Sequence, residues 1–306
     1  MRKHLRALAL AAAVVGPSAA AAQDIIVVSH GQANDPFWSV VKNGVDFAAK
    51  QTGANVSYRA PETFDMVAMG QLIDAAVNQE PDGLVVSIPD ADALAPSIQR
   101  AVAAGIPVIS MNSGGDVAED LGVLLHVGQA EFDAGKAAGA KLAQMGGKTG
   151  ICVNQEVGNV SLDQRCAGFA EGFGGAVTVL PTTNDPADVQ AKVKAALASN
   201  PAIDTVLALG AGTAGEPSLA AVKETGAKVH LATFDLSAGF LEAVAAGEAA
   251  FAIDQQQFLQ GYLPVVFLAL NATYGLVPGG DVPSGPNLIT QEKAAQVVEL
   301  SAKGIR

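Results

Sequence analysis

The segment from Gly210 to Gly215 (GAGTAG) carries the strongest signature of enzyme chemistry in the sequence. Its glycines have the G-x-G-x-x-G spacing that brings a dinucleotide pyrophosphate onto a helix N-terminus. Asp235 follows about twenty residues later, where such proteins bind a ribose. Glu216 and Pro217, however, place a negative charge where the phosphates would lie. An NAD-dependent oxidoreductase is therefore only an alternative interpretation.

Other catalytic motifs are missing from the sequence. It contains no G-x-S-x-G nucleophile turn, no P-loop and no H-E-x-x-H zinc motif. The histidines beyond the first few residues, His30, His126 and His230, fall in separate apolar segments without the spacing of metal ligands. We therefore expect a protein that is not an enzyme and that needs no metal or cofactor.

Short apolar runs alternate with stretches of helical spacing from Asp24 onward. Ten runs read as strands: 25–30, 54–58, 83–88, 106–111, 123–127, 149–153, 176–180, 204–209, 228–234 and 249–253. Most are continuously apolar, which indicates strands covered on both faces, and their alternation with helices predicts parallel sheets. Ten strands and 306 residues favour two sheets of about five that separate near 127–128. An apolar helix over 256–275, kinked at Pro264, and a final amphipathic helix over 291–303 complete the predicted elements.

Polar side chains and two aromatic rings follow several of these strands, at the ends where parallel sheets bind ligands. The candidate ligand-binding residues are His30, Gln32, Asp35, Phe37, Trp38, Asn112, Asn159, Arg165, Asp235 and Gln255. Carboxylates and amides pair with vicinal hydroxyls, an arginine donates in a fixed fork, and rings lie against the C–H faces of a sugar. This mixture favours an uncharged, polyhydroxylated ligand.

Several candidates also have a purely structural interpretation. Asp35 can cap a helix in whose first turn Phe37 and Trp38 pack on the core. Arg165 can be a solvated helix residue, and Asp235 can cap a helix over 237–247. His30, Gln32, Asn159 and Glu156 can be solvated loop residues, and Asp254 can serve a hinge or cap the next helix.

Six segments together resemble one protein family. They are 34–38 (NDPFW), 105–109 (GIPVI), 127–129 (VGQ) leading to Ala134-Gly135, Arg165 before Gly168-Phe169, 233–235 (TFD) and 252–255 (AIDQ). In this order, over residues 24–306, the sequence is similar to the ribose-binding-protein-like, or type I, periplasmic solute-binding proteins of ABC sugar importers.

The resemblance implies an α/β fold: two Rossmann-like lobes with parallel sheets, joined by a three-segment hinge near 127–128, 254–256 and 282–290. It places 24–127 plus 256–286 in the first lobe and 128–255 plus 287–306 in the second. Asp35, Phe37 and Trp38 would contact sugar from the first lobe, Arg165 and Asp235 from the second, and Gln255 at a crossover. The lobes would close on a sugar or polyol, and the protein would act as a monomer. An ABC permease, and in some cases a chemoreceptor or sensor, would recognise the closed form.

Two positions depart from the family pattern, which leaves the ligand open. Asn112-Ser113 stands where the family often has Asp-Arg, and Gly210 stands where an Asn commonly follows the strand. An amino acid or a signalling molecule is the alternative ligand, with Arg165 pairing a carboxylate and Asp235 an ammonium.

The N-terminal residues have the pattern of a secretory signal peptide, which we predict over residues 1–22. Arg2, Lys3 and Arg6 precede a short apolar run, and Ala20-Ala21-Ala22 supplies a small-x-small cleavage pattern. A periplasmic location follows from this pattern. The net charge of −12 disfavours nucleic acid and anionic membrane surfaces as partners.

The two cysteines, Cys152 and Cys166, lie in a predicted strand and the helix after it. Outside the cytoplasm such a pair can form a disulfide, and two buried free thiols are the alternative.

Overall fold

The computed structural model describes residues 22–31 and 35–306. Nearly all of the predicted signal peptide, and the candidate Gln32, lie outside the described residues. The described chain forms two six-stranded sheets, each flanked by helices. The prediction of two α/β lobes is therefore confirmed.

The first sheet is parallel throughout and has the order β11-β5-β4-β3-β1-β2. Its strands are β1 (Asp24–Val28), β2 (Asn55–Arg59), β3 (Gly83–Val86), β4 (Val108–Asn112), β5 (His126–Gly128) and β11 (Val282–Pro283). Its helices are α1 (Pro36–Thr52), α2 (Met66–Val77), α3 (Ala91–Ala103) and α9 (Gln257–Tyr274).

The second sheet has the order β12-β10-β9-β8-β6-β7 and is parallel except for the β10–β12 pair. Its strands are β6 (Thr149–Asn154), β7 (Ala176–Pro181), β8 (Thr205–Ala208), β9 (His230–Phe234), β10 (Phe251–Asp254) and β12 (Asn287–Ile289). Its helices are α4 (Glu131–Gln144), α5 (Val160–Phe173), α6 (Pro186–Ser199), α7 (Glu216–Thr225), α8 (Ala238–Ala245) and α10 (Gln291–Ala302), with a π-helical turn over Ala211–Gly215.

The chain crosses between the sheets three times, after β5, after β10 and between β11 and β12. All ten predicted strands are present, with ends shifted by up to three residues. Two strands were missed, β11 and β12, because runs of two or three residues in a proline-rich stretch carry no periodicity. The residue limits given for the two lobes stay a prediction.

Glycines let α4 and α5 pack with their backbones in contact. A Cβ atom at Gly135 would lie 2.2 Å from the carbonyl oxygen of Arg165, and one at Gly168 would lie 2.0 Å from that of Phe132. Both distances are far inside van der Waals contact, so only glycine fits. This close approach places Glu131, in the first turn of α4, beside Arg165 on α5.

A disulfide bond joins Cys152 on β6 to Cys166 on α5, with the two Cα atoms 5.7 Å apart. Both cysteines are buried in the core of the second lobe. The disulfide interpretation is therefore correct, and free thiols are excluded. The bond fixes α5 to the sheet one residue from Arg165.

Helix α9 confirms the helix predicted over 256–275. It packs against α1, where a Cβ atom at Gly261 would lie 2.0 Å from the carbonyl oxygen of Val41. The last helix, α10, confirms the one predicted over 291–303. Within the described ranges, every helix is too short or too polar to traverse a bilayer.

Candidate ligand-binding site

A cavity of about 490 Å³ lies between the carboxyl ends of the two sheets. Nine of the ten predicted residues line it: His30, Asp35, Phe37, Trp38, Asn112, Asn159, Arg165, Asp235 and Gln255. The sheets thus bring together residues that are up to 225 positions apart in the sequence. Ligand contact by each of them stays a prediction.

The Arg165 guanidinium is buried and forms a bidentate ion pair with Glu131. Its Nε lies 2.5 Å from Oε2 and its Nη2 lies 3.0 Å from Oε1 of that carboxylate. The third nitrogen, Nη1, donates to the carbonyl oxygen of Leu209 at 3.4 Å, and the guanidinium stacks 4.5 Å from the centre of the Phe234 ring. Arg165 is therefore not a solvated helix residue, and its fork is already engaged within the protein.

Burial lowers the pKa of the Arg165 guanidinium, but Glu131 more than offsets this, and the net shift is upward. Arg165 therefore stays protonated, and its charge is paired with Glu131. Sequence reasoning missed Glu131, because nothing in its local sequence shows that α4 and α5 touch.

Asp235 follows β9 in the left-handed backbone region, with φ of 67°. Its Oδ1 accepts a hydrogen bond from Gln255 Nε2 at 2.5 Å. Burial raises the pKa of this carboxyl to about 7, although Arg165 and Gln255 both oppose the shift. The helix after it, α8, is capped instead by Ser237, so the capping interpretation of Asp235 is wrong.

Gln255 connects Asp235 to the first lobe. Its Oε1 accepts from Asn112 Nδ2 at 3.4 Å and from Gln260 Nε2 at 3.0 Å. Gln260 also accepts from Asn112 and donates to Ser284 Oγ in the third crossover. A buried amide network therefore joins the cavity to two hinge segments.

Asp254, the neighbour of this network, is fully buried and forms an ion pair with Arg306. Its Oδ1 also accepts from the backbone nitrogen of Gln256 at 2.8 Å, at the start of α9. Asp254 therefore holds the crossover together, as the hinge interpretation predicts, and does not line the cavity.

Asp35 caps α1, because its Oδ1 accepts from the backbone nitrogen of Phe37 at 2.9 Å. It also lines the cavity, so capping and ligand contact are compatible. Burial, reinforced by the negative charge of Glu156, raises the pKa of this carboxyl to about 7. Two carboxyls of shifted pKa, Asp35 and Asp235, thus face the cavity from opposite lobes.

His30 is buried and its Nδ1 lies 2.8 Å from Ser87 Oγ. Its Nε2 reaches the other lobe, 3.4 Å from Asn159 Nδ2 and 3.8 Å from Glu156 Oε2. Burial lowers the pKa of the His30 imidazole to about 4, so the ring is neutral at pH 7. Neither His30 nor Asn159 is a solvated loop residue.

The two aromatic residues, Phe37 and Trp38, have different positions. Phe37 is half-buried at the cavity, whereas Trp38 is only 5% exposed and belongs to the core of the first lobe. The Trp38 ring packs edge-on against His30, with ring centres 4.7 Å apart. The core-packing interpretation therefore holds for Trp38, which nevertheless reaches the cavity wall.

The two lobes touch across the cleft. The backbone nitrogen of Val160 donates to the carbonyl oxygen of Pro89 at 3.0 Å, and Gln164 Nε2 donates to Asp116 Oδ2 at 2.8 Å. Together with the His30 contacts, these hydrogen bonds describe a closed arrangement of the lobes.

The G-x-G-x-x-G segment contributes to closure. A Cβ atom at Gly212 would lie 3.0 Å from Pro36 of the opposite lobe, so this glycine admits the other lobe. Glu216, which begins α7, accepts from Ser237 Oγ at 2.6 Å. Gly212 is thus explained without a dinucleotide.

Gln155 was not singled out as a ligand residue, yet it lines the cavity and stands where the family's amide is missing. A Cβ atom at Gly210 would lie 2.8 Å from Gln155 Nε2 and 2.8 Å from Thr213 Oγ1. Gln155 Oε1 is buried and has no hydrogen-bond partner among the described residues. The amide of Gln155, which directly follows β6, therefore occupies the space that an asparagine at 210 would fill.

The described residues contain no group of three or more His, Cys, Asp or Glu side chains that could hold a metal ion. The polar atoms of the cavity are carboxylates, amides and hydroxyls, together with one neutral imidazole and a paired guanidinium. This set both donates and accepts hydrogen bonds.

Known proteins resemble the chain over most of its length. A carbohydrate transporter from Acidothermus cellulolyticus, solved in complex with myo-inositol, is 36% identical with a TM-score of 0.89, over 93% of this chain and 100% of that one. A periplasmic sugar-binding protein from Legionella pneumophila, 24% identical with a TM-score of 0.79 over 86% of this chain and 99% of that one, shows the same fold.

The xylose/arabinose-binding protein of Sulfolobus acidocaldarius is 25% identical over 266 residues, which is 80% of this chain. The match spans 65% of that protein's length. Residues 25–274 match the family described as periplasmic binding protein domain. The two lobes, their three crossings and this match agree: the chain belongs to the periplasmic binding protein family.

Proposed function

We propose that the protein captures an uncharged monosaccharide or cyclic polyol in the cleft and presents it to an ABC permease. The observation that carries this proposal is the ion pair between Arg165 and Glu131. An amino acid needs a cation for its carboxylate, and the one guanidinium that the described residues bring to the cavity is already neutralised. Hydroxyl groups need no such charge and pair well with carboxylate and amide groups.

The relatives support the same ligand class. The Acidothermus cellulolyticus protein, at 36% identity, holds myo-inositol, and the Sulfolobus acidocaldarius relative is named for xylose and arabinose. A ring of hydroxyls would donate to Asp35 from one lobe and to Asp235 from the other. The half-buried face of Phe37 would lie against the C–H groups of the ring.

Closure of the hinge would make the ligand-bound form recognisable. A ligand that touches both lobes binds the closed state better than the open state and shifts the population toward it. The hydrogen bonds between Val160 and Pro89 and between Gln164 and Asp116 would form as the cleft closes. The protein would thus act by binding alone, as a monomer, and a permease or a chemoreceptor would read the closed form.

A periplasmic location fits this role and is typical of the family. We propose that the pattern over residues 1–22 directs export and is removed near Gln23. The disulfide between Cys152 and Cys166 supports an oxidising compartment.

A thermal-shift screen tests the proposal. The panel contains pentoses, hexoses, myo-inositol, linear polyols and amino acids at one concentration, because a ligand raises Tm in proportion to ln(1 + [L]/Kd). A neutral sugar or cyclic polyol should give the largest rise. If an amino acid gives the largest rise and no sugar raises Tm, the proposed ligand class is wrong.

A further inference from the structure

A second cavity lies beside the hinge and is bounded by both lobes. Measured in the same way as the cleft cavity, it is larger, at about 1,170 Å³. The first lobe contributes Asp116, His126 and Asp281, the second lobe contributes Phe132 and Gln164, and the crossovers contribute Gln129 and Gly285. We call this space the hinge cavity.

Two buried polar atoms of the hinge cavity lack partners. His126 and Gln129 are each only 5% exposed and both line the cavity. His126 Nε2 and Gln129 Oε1 form no hydrogen bond with any of the described residues. A buried polar atom without a partner costs free energy, so its presence points to a group that the protein itself does not supply.

The His126 ring is fixed in place. Its Nδ1 lies 2.9 Å from Ser110 Oγ, and a Cβ atom at Gly128 would lie 2.1 Å from its Nε2. Burial lowers the pKa of this imidazole to about 4, so the ring adds no positive charge to the cavity at pH 7.

The charged side chains that line the hinge cavity are all acidic. They are Asp116, Glu131, Asp133 and Asp281, and neither lysine nor arginine is among the lining residues that the structure describes. Arg165 neutralises Glu131 from the other side, which leaves three carboxylates. The field of the cavity therefore attracts a cation.

The described residues contain no cluster of three His, Cys, Asp or Glu side chains that could hold a metal ion. An amide oxygen, carboxylates at the rim and the exposed Phe132 ring suit an organic cation, with N–H donors at one end and an alkyl body.

We propose that the hinge cavity is a second binding site, for a small alkylammonium compound. The N–H groups of the ammonium would donate to Gln129 Oε1 and to the rim carboxylates. This site does not depend on the proposed sugar site. The two sites are connected, because Gln129 Nε2 donates to Glu131 Oε2 at 2.9 Å and Glu131 pairs with Arg165 of the cleft. An effect of the bound ammonium on sugar binding would act through this connection, and that effect alone rests on the proposed function.

Isothermal titration with 1,4-diaminobutane tests the proposal, in physiological salt and without sugar. Four proteins are compared: the unaltered protein, Ala130→Leu, Gln129→Leu and Glu299→Gln. Ala130 is exposed at the cavity wall, so the leucine fills space without changing charge, and Gln129→Leu removes the acceptor. Glu299, which is 84% exposed on α10, is the control for a substitution far from the cavity. Circular dichroism checks that each variant is folded.

The proposal predicts saturable binding of one diamine per chain, weakened about tenfold or more in Ala130→Leu and in Gln129→Leu and unchanged in Glu299→Gln. Neutral 1,4-butanediol should give no binding heat. The proposal is overturned if the diamine does not bind, if Glu299→Gln weakens binding as much as the cavity variants do, or if the diol binds equally well. Because sugar is absent, none of these outcomes depends on the sugar site.

Discussion

Glu131 accepts from Nε and Nη2 of Arg165, so the one arginine that the described residues bring to the cleft is paired before any ligand arrives. Breaking a buried pair from one side leaves an uncompensated charge, which typically costs about 3 to 5 kcal/mol. We therefore expect Glu131→Gln to lower the free energy of unfolding by several kcal/mol, measured by denaturant titration.

A matched control exists on the same two helices. Lys136 on α4 pairs with Glu171 on α5, but both side chains are about half exposed. Glu171→Gln should leave the denaturation midpoint nearly unchanged, because water screens exposed pairs. Equal destabilisation by the two variants would contradict the role given to the Arg165–Glu131 pair.

Asp235 should make stability depend on pH. Its ordinary pKa is 3.8 and burial raises the folded-state pKa to about 7. The folded protein therefore binds this proton more tightly than the unfolded chain does. The stability gained in this way is fully present below pH 3.8 and is lost as pH rises through about 7. In Asp235→Asn, without ligand, Tm relative to the unaltered protein should rise steadily from pH 4 to pH 8.

The Tm of the unaltered protein must be compared with that of Asp235→Asn, because other titrating groups change stability with pH in the opposite direction. Burial lowers the pKa of His30 and of His126 from 6.5 to about 4, so their contribution to stability is lost as pH falls from 6.5 toward 4. Asparagine keeps the side-chain shape and tolerates the φ of 67° at this position. A Tm difference that is constant with pH would show that the Asp235 pKa is not raised.

The disulfide should stabilise the second lobe. It closes a loop between residues 14 positions apart, for which a contribution of about 3 kcal/mol is usual. The double variant Cys152→Ala/Cys166→Ala should unfold at lower denaturant concentration and bind ligand more weakly, because α5 carries Arg165. Unchanged unfolding would show that packing of α4 and α5 suffices to hold the helix.

Trp38 is the only tryptophan and lies at the cavity wall. Ligand in the cleft would displace water near Phe37 and His30, whose rings contact the indole. We expect a saturable change in emission on titration with a bound sugar, and no change with NAD. Unaltered emission during ligand binding that calorimetry detects would place the ligand away from the first lobe.

The fold could be predicted from the sequence because continuous apolar strands alternate with helices. The ends of individual strands could not be predicted, since they depend on where the neighbouring strand pairs. Strand β5, for example, begins at His126 and not at residue 123. The short strands β11 and β12 form only at the edges of sheets built by distant residues.

The residues of the site were predictable because strand ends of parallel sheets converge, but their partners were not. The sequence suggested that Arg165 binds ligand directly or faces solvent. Instead its side chain is 3% exposed and held by Glu131, which depends on helix contacts at Gly135 and Gly168. Truncating Arg165 should therefore cost stability as well as affinity. The position of Gln155 beside Gly210 likewise depends on tertiary packing.

Calorimetric titration of the unaltered protein and of Asp235→Asn with myo-inositol, D-xylose and L-arabinose measures whether the cleft binds a sugar or cyclic polyol and whether Asp235 contributes to that binding. Asp92→Asn, an exposed acid on α3, is the control. We expect one-to-one binding of at least one of these compounds with Kd near micromolar, about −8 kcal/mol, weakened about tenfold in Asp235→Asn and unchanged in Asp92→Asn. The claim is contradicted if none of the three compounds binds, or if the bound compound has the same affinity for Asp235→Asn as for the unaltered protein.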